Sequence, residues 1–178
     1  RLIENINKMI DPVPAKIMYC YGEYQAIFAS YPNVIFNDGL PDMSQFDGKQ
    51  PILLILDDLM DATNDSVCSM FTKMSHHRNI SVIYITQNMF PKNKHARTIS
   101  LNSHYMILFK NPRDAGQFAT LARQMYPAGS TFAVEAFKDA TEPAYGYLLV
   151  DLKPDMDEQY RLRTNIFPGE LTYVYIKK

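Results

Sequence analysis

Two adjacent carboxylates at the end of an apolar run are the residues of this chain best suited to chemistry. Asp57 and Asp58 directly follow five aliphatic residues at positions 52–56. One carboxylate can hold a hydrated Mg²⁺ ion while the other orients or deprotonates an attacking water, which is the division of labour that phosphoryl transfer requires. The same pair is also typical of a strand that leads into a helix, with Asp58 as its N-cap. Both interpretations stay open on this segment alone.

The apolar run predicts where these carboxylates lie. A strand that is apolar at every position has both faces covered, which is typical of a central parallel strand, and ligands of such sheets bind beyond the carboxyl ends of the strands. Further strands are predicted at residues 17–21, 34–36, 81–87, 104–109, 147–152, 162–167 and 173–176, and helices at 1–10, 64–74 and 112–126. The last helix is expected to carry Pro112 in its first turn.

The order of these elements predicts the fold class. Strands that alternate with helices indicate a three-layer α/β domain with a mostly parallel central sheet. The connections near the C-terminus are too short for crossover helices, so the last strands are expected to be antiparallel. The whole chain, residues 1–178, is predicted to be a single domain.

Composition excludes several classes of protein. Lys and Arg number 18 against 19 Asp and Glu, so the formal net charge is −1 and any nucleic acid must be bound by a local basic patch. Cys20 and Cys68 are far apart, which argues against a zinc ribbon and predicts two free thiols in a reducing compartment. No apolar run is long enough for a membrane span and no cleavable signal opens the chain, so a soluble intracellular protein is expected.

Four segments occur in the order seen in FtsK/HerA-type P-loop ATPases. They are residues 52–58, 75–79, 81–88 and 105–114. Over about residues 1–152 the chain resembles, in particular, the genome-packaging ATPases of Polinton/Maverick elements and related double-stranded DNA viruses. The resemblance implies a P-loop NTPase-like domain, with ATP and Mg²⁺ as its cofactors.

The resemblance also implies roles for individual residues. Asp57 matches the Walker B acid that binds Mg²⁺, and Asp58 matches the residue that polarises the attacking water. The family usually has Asp-Glu at these positions, and the shorter Asp58 would need a closer approach or a second water. Thr86 and Gln87 match a pair whose glutamine senses the γ-phosphate, and Asn88 follows beside the nucleotide.

The phosphate-binding loop of this family is absent from the chain. The pattern G-x-x-x-x-G-K-[ST] does not occur, and Gly48-Lys49 lacks both the upstream glycine and the following Ser or Thr. Residues 1–10 look like the back half of the helix that follows such a loop. The expectation is therefore that the loop and its strand precede residue 1, and that this strand pairs with one side of the strand at 52–56 and the strand at 82–86 with the other. The alternative is a degenerate relative that binds no nucleotide.

A ring ATPase needs an arginine that acts on the γ-phosphate held by the neighbouring subunit. Arg78, just before the glutamine strand, is the first candidate, ahead of Arg97 and Arg113. Each of them is also typical of an ordinary surface arginine.

A basic cluster follows the glutamine segment. It is predicted to be a loop that follows the DNA backbone through charge alone, and a solvated surface loop is the alternative. Adjacent His76 and His77 point in different directions and indicate a polar loop more than a metal site. The predicted DNA contacts are Lys92, Lys94 and Arg97.

The function implied by the resemblance is ATP-driven translocation of double-stranded DNA, which packages viral or virus-like genomes into capsids by hydrolysing ATP at subunit interfaces. The implied partners are double-stranded DNA, a capsid or portal protein and further copies of the chain in a homo-oligomeric ring, with no membrane. The implied location is the host nucleus or cytoplasm, or the virion. Two alternatives stay open: a catalytically inactive relic that serves as an interaction module, and an ATPase of the same superfamily that pumps DNA in another process.

Overall fold

The computed structural model describes residues 1–57, 59, 65–74, 78–90, 95–113 and 115–177. These residues form two compact units, Arg1–Asn102 and Ser103–Lys178. The first unit contains a four-stranded parallel sheet and the second a four-stranded antiparallel sheet, each with helices. The predicted α/β class is confirmed, and the prediction of a single domain stays a prediction.

The first unit alternates strands with helical segments. In chain order these are α1 (Leu2–Met9), β1 (Lys16–Tyr21), a 3₁₀ helix (Ala26–Ser30), β2 (Val34–Asp38), a second 3₁₀ helix (Met43–Gln45), β3 (Ile52–Asp57), α2 (Asp65–Ser69), a π-helical segment (Met70–Met74), β4 (Ile80–Ile85) and α3 (Ala96–Asn102).

The parallel sheet has the strand order β2-β1-β3-β4. The prediction that β3 is internal and pairs with the glutamine strand, β4, is therefore confirmed. The other neighbour of β3 is β1. The expectation that an absent strand would lie directly beside β3 is wrong, because both sides of β3 are already hydrogen-bonded.

Side chains of β3 are buried on both faces of the sheet, and none from Ile52 to Leu56 is more than 7% exposed. The face covered by α1, called the α1 face below, has a core of Ile6, Leu53 and Ile55, with Tyr19 and Ile83 packed against it. The opposite face has a larger core that includes Cys20, Phe46, Leu54, Leu56, Val67 and Met70. As predicted, the run is apolar at every position because both faces of the sheet are covered.

The second unit is an antiparallel sheet with two helices. Its elements are β5 (Tyr105–Phe109), α4 (Ala115–Met125), α5 (Ser130–Ala140), β6 (Tyr147–Asp151), a 3₁₀ helix (Glu158–Tyr160), β7 (Leu162–Thr164) and β8 (Tyr173–Tyr175), with the strand order β5-β6-β7-β8. All three strand pairs are antiparallel. The β6–β7 and β7–β8 pairs were predicted, whereas the pairing of β5 with β6 was not. The helix predicted at 112–126 begins only at Ala115, so the placement of Pro112 in its first turn is wrong. Helices α3 and α5 were not predicted.

Two further sequence expectations concern thiols and membranes. Cys20 and Cys68 both carry free thiols, as predicted. Among the described residues, no helix combines the length and the apolar character needed to cross a bilayer.

Candidate functional site

The carboxyl ends of adjacent parallel strands bring the predicted acid and glutamine segments together. In the sheet register, Asp57 of β3 lies opposite Tyr21 of β1 on one side and opposite Ile85 of β4 on the other. Gln87 follows two residues after Ile85, so its backbone lies within about 10 Å of Asp57 by the ordinary spacing and rise of β-strands. Two segments that are 30 residues apart in sequence therefore meet at one edge of the sheet.

Asp57 is half-buried and its carboxylate has a defined partner. Oδ2 of Asp57 accepts a hydrogen bond of 2.5 Å from the Tyr19 hydroxyl. Both side chains belong to the α1 face, because Asp57 continues the alternation of Leu53 and Ile55. Burial, the hydrogen bond to Asp57 and the negative charge of that carboxylate all raise the pKa of Tyr19. Tyr19 therefore stays protonated, and remains a donor, at neutral pH.

The ring of Tyr19 is held in an aromatic cluster on the same face. Its centroid lies 5.4 Å from that of Phe28 and 5.6 Å from that of Phe36. Phe28 and Phe36 stack on each other at 4.4 Å. These contacts fix the ring from the side away from Asp57, so the hydroxyl approaches the carboxylate from a constrained direction.

The segment after β4 forms a hydrogen-bonded turn that leaves Gln87 exposed. Thr86 donates from Oγ1 to the Asn88 carbonyl at 3.1 Å, and the Asn88 backbone N–H donates back to Thr86 Oγ1 at 3.3 Å. Asn88 Oδ1 accepts from the Phe90 N–H at 2.9 Å. The Asn88 side chain thus stabilises the turn, while the exposed Gln87 is presented to solvent at the same edge as Asp57. The nucleotide roles of both residues stay predictions.

Arg78 lies before the amino end of β4, whereas Asp57 lies at the carboxyl end of the neighbouring β3. It precedes β4, and its guanidinium donates to the backbone carbonyl of Met43. Since β4 is six residues long, Arg78 is about 20 Å from the carboxyl edge, which is too far to act on a phosphate held by Asp57 of the same chain. Its predicted action on a neighbouring subunit stays a prediction.

The predicted DNA-binding residues are only partly described. Arg97 lies in the first turn of α3 and is exposed, so its predicted position in a loop is wrong. His95, beside it, lies 3.4 Å from the carboxylate of Asp65 and is only 13% exposed, so it adds little to a basic surface. Arg113 lies in an exposed turn before α4. Several residues singled out from the sequence lie outside the described residues: Asp58, His76, His77, Lys92 and Lys94.

The donor set around Asp57 suits one kind of cation. No group of three or more His, Cys, Asp or Glu side chains within the described residues could enclose a metal ion. Mg²⁺, however, keeps several waters and is typically bound by one or two carboxylates together with substrate phosphates. Asp57, a carboxylate at the sheet edge with one oxygen hydrogen-bonded to Tyr19, fits a hydrated Mg²⁺ ion and does not fit a dehydrated protein cage.

Tyr19 is the residue of this site that the sequence did not reveal. Its position in β1 was predicted, and the alternation of Ile17, Tyr19 and Tyr21 assigns all three to one face. The missing information was the register, which pairs Tyr19 with Ile55 and so brings its hydroxyl to Asp57 one strand away. A buried tyrosine hydroxyl usually finds a hydrogen-bond partner, but Tyr21 on the same face offered a second hydroxyl, so the sequence did not single out Tyr19.

Comparisons with known protein families, with curated proteins and with solved structures found no match for this chain. The site must therefore be interpreted from its own geometry. That geometry consists of an oriented carboxylate, an exposed amide side chain on the adjacent strand end, and an open edge of a parallel sheet. Such an arrangement can hold a hydrated cation and place a polar group beside the phosphates that the cation carries.

Proposed function

We propose that the first unit hydrolyses ATP and that the protein is an ATP-driven translocase of double-stranded DNA, which packages viral or virus-like genomes into capsids. The observation that carries this proposal is the placement of Asp57 and Gln87 at the carboxyl ends of adjacent parallel strands. Phosphoryl transfer needs a cation beside the phosphates and a polar group at the γ-phosphate, which is what these two side chains would supply.

In this proposal each residue has a distinct role. The oxygen of Asp57 that Tyr19 does not occupy would hold a hydrated Mg²⁺ ion. Gln87 senses the γ-phosphate, and Asp58, which lies outside the described residues, polarises the attacking water. Mg²⁺, when bound, neutralises charge that develops on the phosphate oxygens. The proposed DNA transport, capsid partner and ring rest on the family resemblance.

The course of the chain through the sheet limits where a further parallel strand could lie. The connection from β1 outward to β2 passes over the α1 face, where Phe28 stacks on Phe36. The connections from β2 to β3 and from β3 to β4 run in the other direction along the sheet and contribute Phe46 and Val67 to the opposite face. The β1–β2 crossover and the two later ones differ in both the direction along the sheet and the face they cover, so all three have the same hand. Parallel crossovers are right-handed in almost all proteins.

The right-handed crossover rule also predicts the position of any parallel strand that leads into α1. Because α1 lies on the α1 face and continues into β1, a crossover of the same hand would start on the β4 side of β1. Since β3 is paired on both sides, the position left is the outer edge of β4, which has no partner among the described strands. A phosphate-binding loop at the carboxyl end of such a strand would lie next to Gln87 and about 10 Å from Asp57, which is the distance across two strand spacings.

The first test is the coding sequence that precedes the codon for Arg1. A G-x-x-x-x-G-K-[ST] loop preceded by an apolar strand would supply the phosphate contacts that this chain lacks. An open reading frame without that motif would favour the inactive interaction module.

The second test is steady-state ATP hydrolysis by the full-length protein and three variants. Asp57→Asn should lower turnover at least about 100-fold, since a metal contact to developing charge is worth several kcal/mol. Gln87→Ala should still bind ATP but hydrolyse it slowly. Asp38→Asn is the matched control, because Asp38 is an exposed carboxylate at the end of β2, two strands from β3.

The control should hydrolyse ATP like the wild type. Normal turnover in a folded Asp57→Asn variant would reject the assignment of Asp57. A wild-type protein that neither binds nor hydrolyses ATP would reject the proposed function itself.

A further inference from the structure

The contact between Tyr19 and Asp57 imposes an orientation on the carboxylate. Tyr19 belongs to the middle of β1, a strand hydrogen-bonded on both sides, and its ring contacts both Phe28 and Phe36. Asp57, in contrast, is the last residue of β3, and its side chain lies at the edge of the sheet. The more rigid partner therefore determines the direction of the hydrogen bond, and the carboxylate adopts the rotamer that meets the hydroxyl.

The hydrogen bond also distinguishes the two carboxylate oxygens. Oδ2 accepts from Tyr19 at 2.5 Å, which is at the short end for a bond from a hydroxyl to a carboxylate. Oδ1 makes no hydrogen bond to Tyr19. A phenylalanine at position 19 would fill the same space in the aromatic cluster, and it would not need a partner for a hydroxyl. What the Tyr19 hydroxyl adds is a fixed orientation of the Asp57 carboxylate.

We propose that Tyr19 is a positioning residue, which holds Oδ2 of Asp57 and thereby directs Oδ1 toward the water shell of the divalent cation that accompanies ATP. This role rests on the proposed function, because it assigns Asp57 to a cation. Partners that orient a metal-binding side chain typically change metal affinity about 10- to 100-fold when they are removed. The lower end of that range applies here, because Asp57 is expected to contact the cation through water.

The matched control for Tyr19→Phe is Tyr21→Phe. Tyr21 lies two residues further along β1 on the same face, and its ring also contacts Phe28, with 5.0 Å between centroids. Among the described residues, its hydroxyl makes no hydrogen bond to Asp57. Both variants remove one oxygen from the same aromatic cluster, and only one of them removes the hydrogen bond to the carboxylate.

The first measurement is independent of ATP hydrolysis. A hydroxyl proton in so short a bond to a carboxylate should give a downfield, slowly exchanging NMR resonance in the wild type. The resonance should disappear in Tyr19→Phe and persist in Tyr21→Phe. It should also persist when Mg²⁺ and ATP are added to the wild type, since the bond is proposed to stay intact while the cation is bound. Its loss on adding Mg²⁺ and ATP would overturn the proposal without any variant.

The second measurement is the affinity for Mn²⁺ in the presence of ATP, followed by the electron paramagnetic resonance of free Mn²⁺. Tyr19→Phe should weaken Mn²⁺ binding about tenfold and Tyr21→Phe should leave it unchanged. Equal affinities in the wild type and in folded Tyr19→Phe would overturn the positioning role and leave the proposed function standing. A wild type that binds no Mn²⁺ with ATP, while showing the hydroxyl resonance, would overturn both, and the Tyr19–Asp57 bond would then be structural only.

Discussion

The packing of α1 on the sheet can be tested by removing one side chain. Ile6 is 1% exposed and shares its core with Leu53 and Ile55 of β3. Helix α1 has only eight residues, and an isolated helix of that length is not stable in water. Its stability must therefore come from this contact, and Ile6→Ala should destabilise the face of the sheet that carries Tyr19 and Asp57.

The size of the effect follows from the burial. Isoleucine loses three carbon atoms on conversion to alanine, and at about 0.8 kcal/mol for each buried carbon the transfer contribution is about 2.4 kcal/mol. The cavity left beside Leu53 and Ile55, which are 0% and 2% exposed, raises the expected cost to about 3–4 kcal/mol. A domain of this size is typically stable by only about 5–15 kcal/mol, so the change should be easy to detect.

The measurement is urea unfolding followed by circular dichroism, since the chain has no tryptophan. With a slope of about 1.5 kcal/mol per M, the midpoint for Ile6→Ala should fall by about 2 M. Lys8→Ala, an exposed change in the same helix, is the control and should shift stability by less than about 0.5 kcal/mol. A cost below about 1 kcal/mol for Ile6→Ala would show that α1 does not pack on β3 as described.

Two further predictions concern pH and DNA. Burial raises the pKa of the Cys20 thiol from 9.0 to about 12, so the stability it contributes is fully present below pH 9 and is lost as the pH rises toward 12. Cys20→Ala should therefore reduce the decline of the free energy of unfolding between pH 9 and 10 by up to about 1.4 kcal/mol per pH unit, measured by urea unfolding, and an unchanged slope would contradict this. Neutralising the three predicted DNA-contacting cations should weaken binding to a labelled duplex and lower the salt slope by up to about three, whereas an unchanged slope in anisotropy titrations would place the DNA elsewhere. Those cations are Lys92, Lys94 and Arg97.

The parts of the fold that could be predicted are those with a strong local pattern. Residues 52–56 are apolar at every position, and only a strand covered on both faces allows that, so the central place of β3 followed from the sequence. The antiparallel pairing of the C-terminal strands followed from connections too short for a crossover. In both cases the pattern within a few residues was sufficient.

The elements that were missed have weaker local signals. Helix α5 buries a stripe of small residues, which gives little contrast in hydrophobicity between its two faces. The helix after β5 begins three residues later than its proline suggested, because Pro112 lies in the preceding turn. The buried residues of the α5 stripe are Ala133, Ala136 and Ala140.

The candidate site was predicted in the same uneven way. Asp57 and Gln87 could be placed at strand ends from sequence, since each follows an apolar run. That Asp57 lies beside Tyr19 depends on strand order and register, which are set by packing across the whole sheet and cannot be read from any single segment. Tyr19 was therefore visible only once β1 and β3 were aligned.

The ligands that the described residues offer at Asp57 bear on how the proposed chemistry would be divided. No cluster of three or more metal-binding side chains occurs within the described residues. Mg²⁺ typically takes most of its ligands from water and substrate phosphates. Cation and nucleotide would then bind as one unit, and Asp57 would direct the cation through the orientation of its carboxylate. In this proposal a hydrogen bond from Tyr19, which touches neither cation nor phosphate, changes metal affinity through that orientation. An enclosed site with several protein ligands would be much less sensitive to the loss of one hydroxyl, because its other ligands would keep the cation in place.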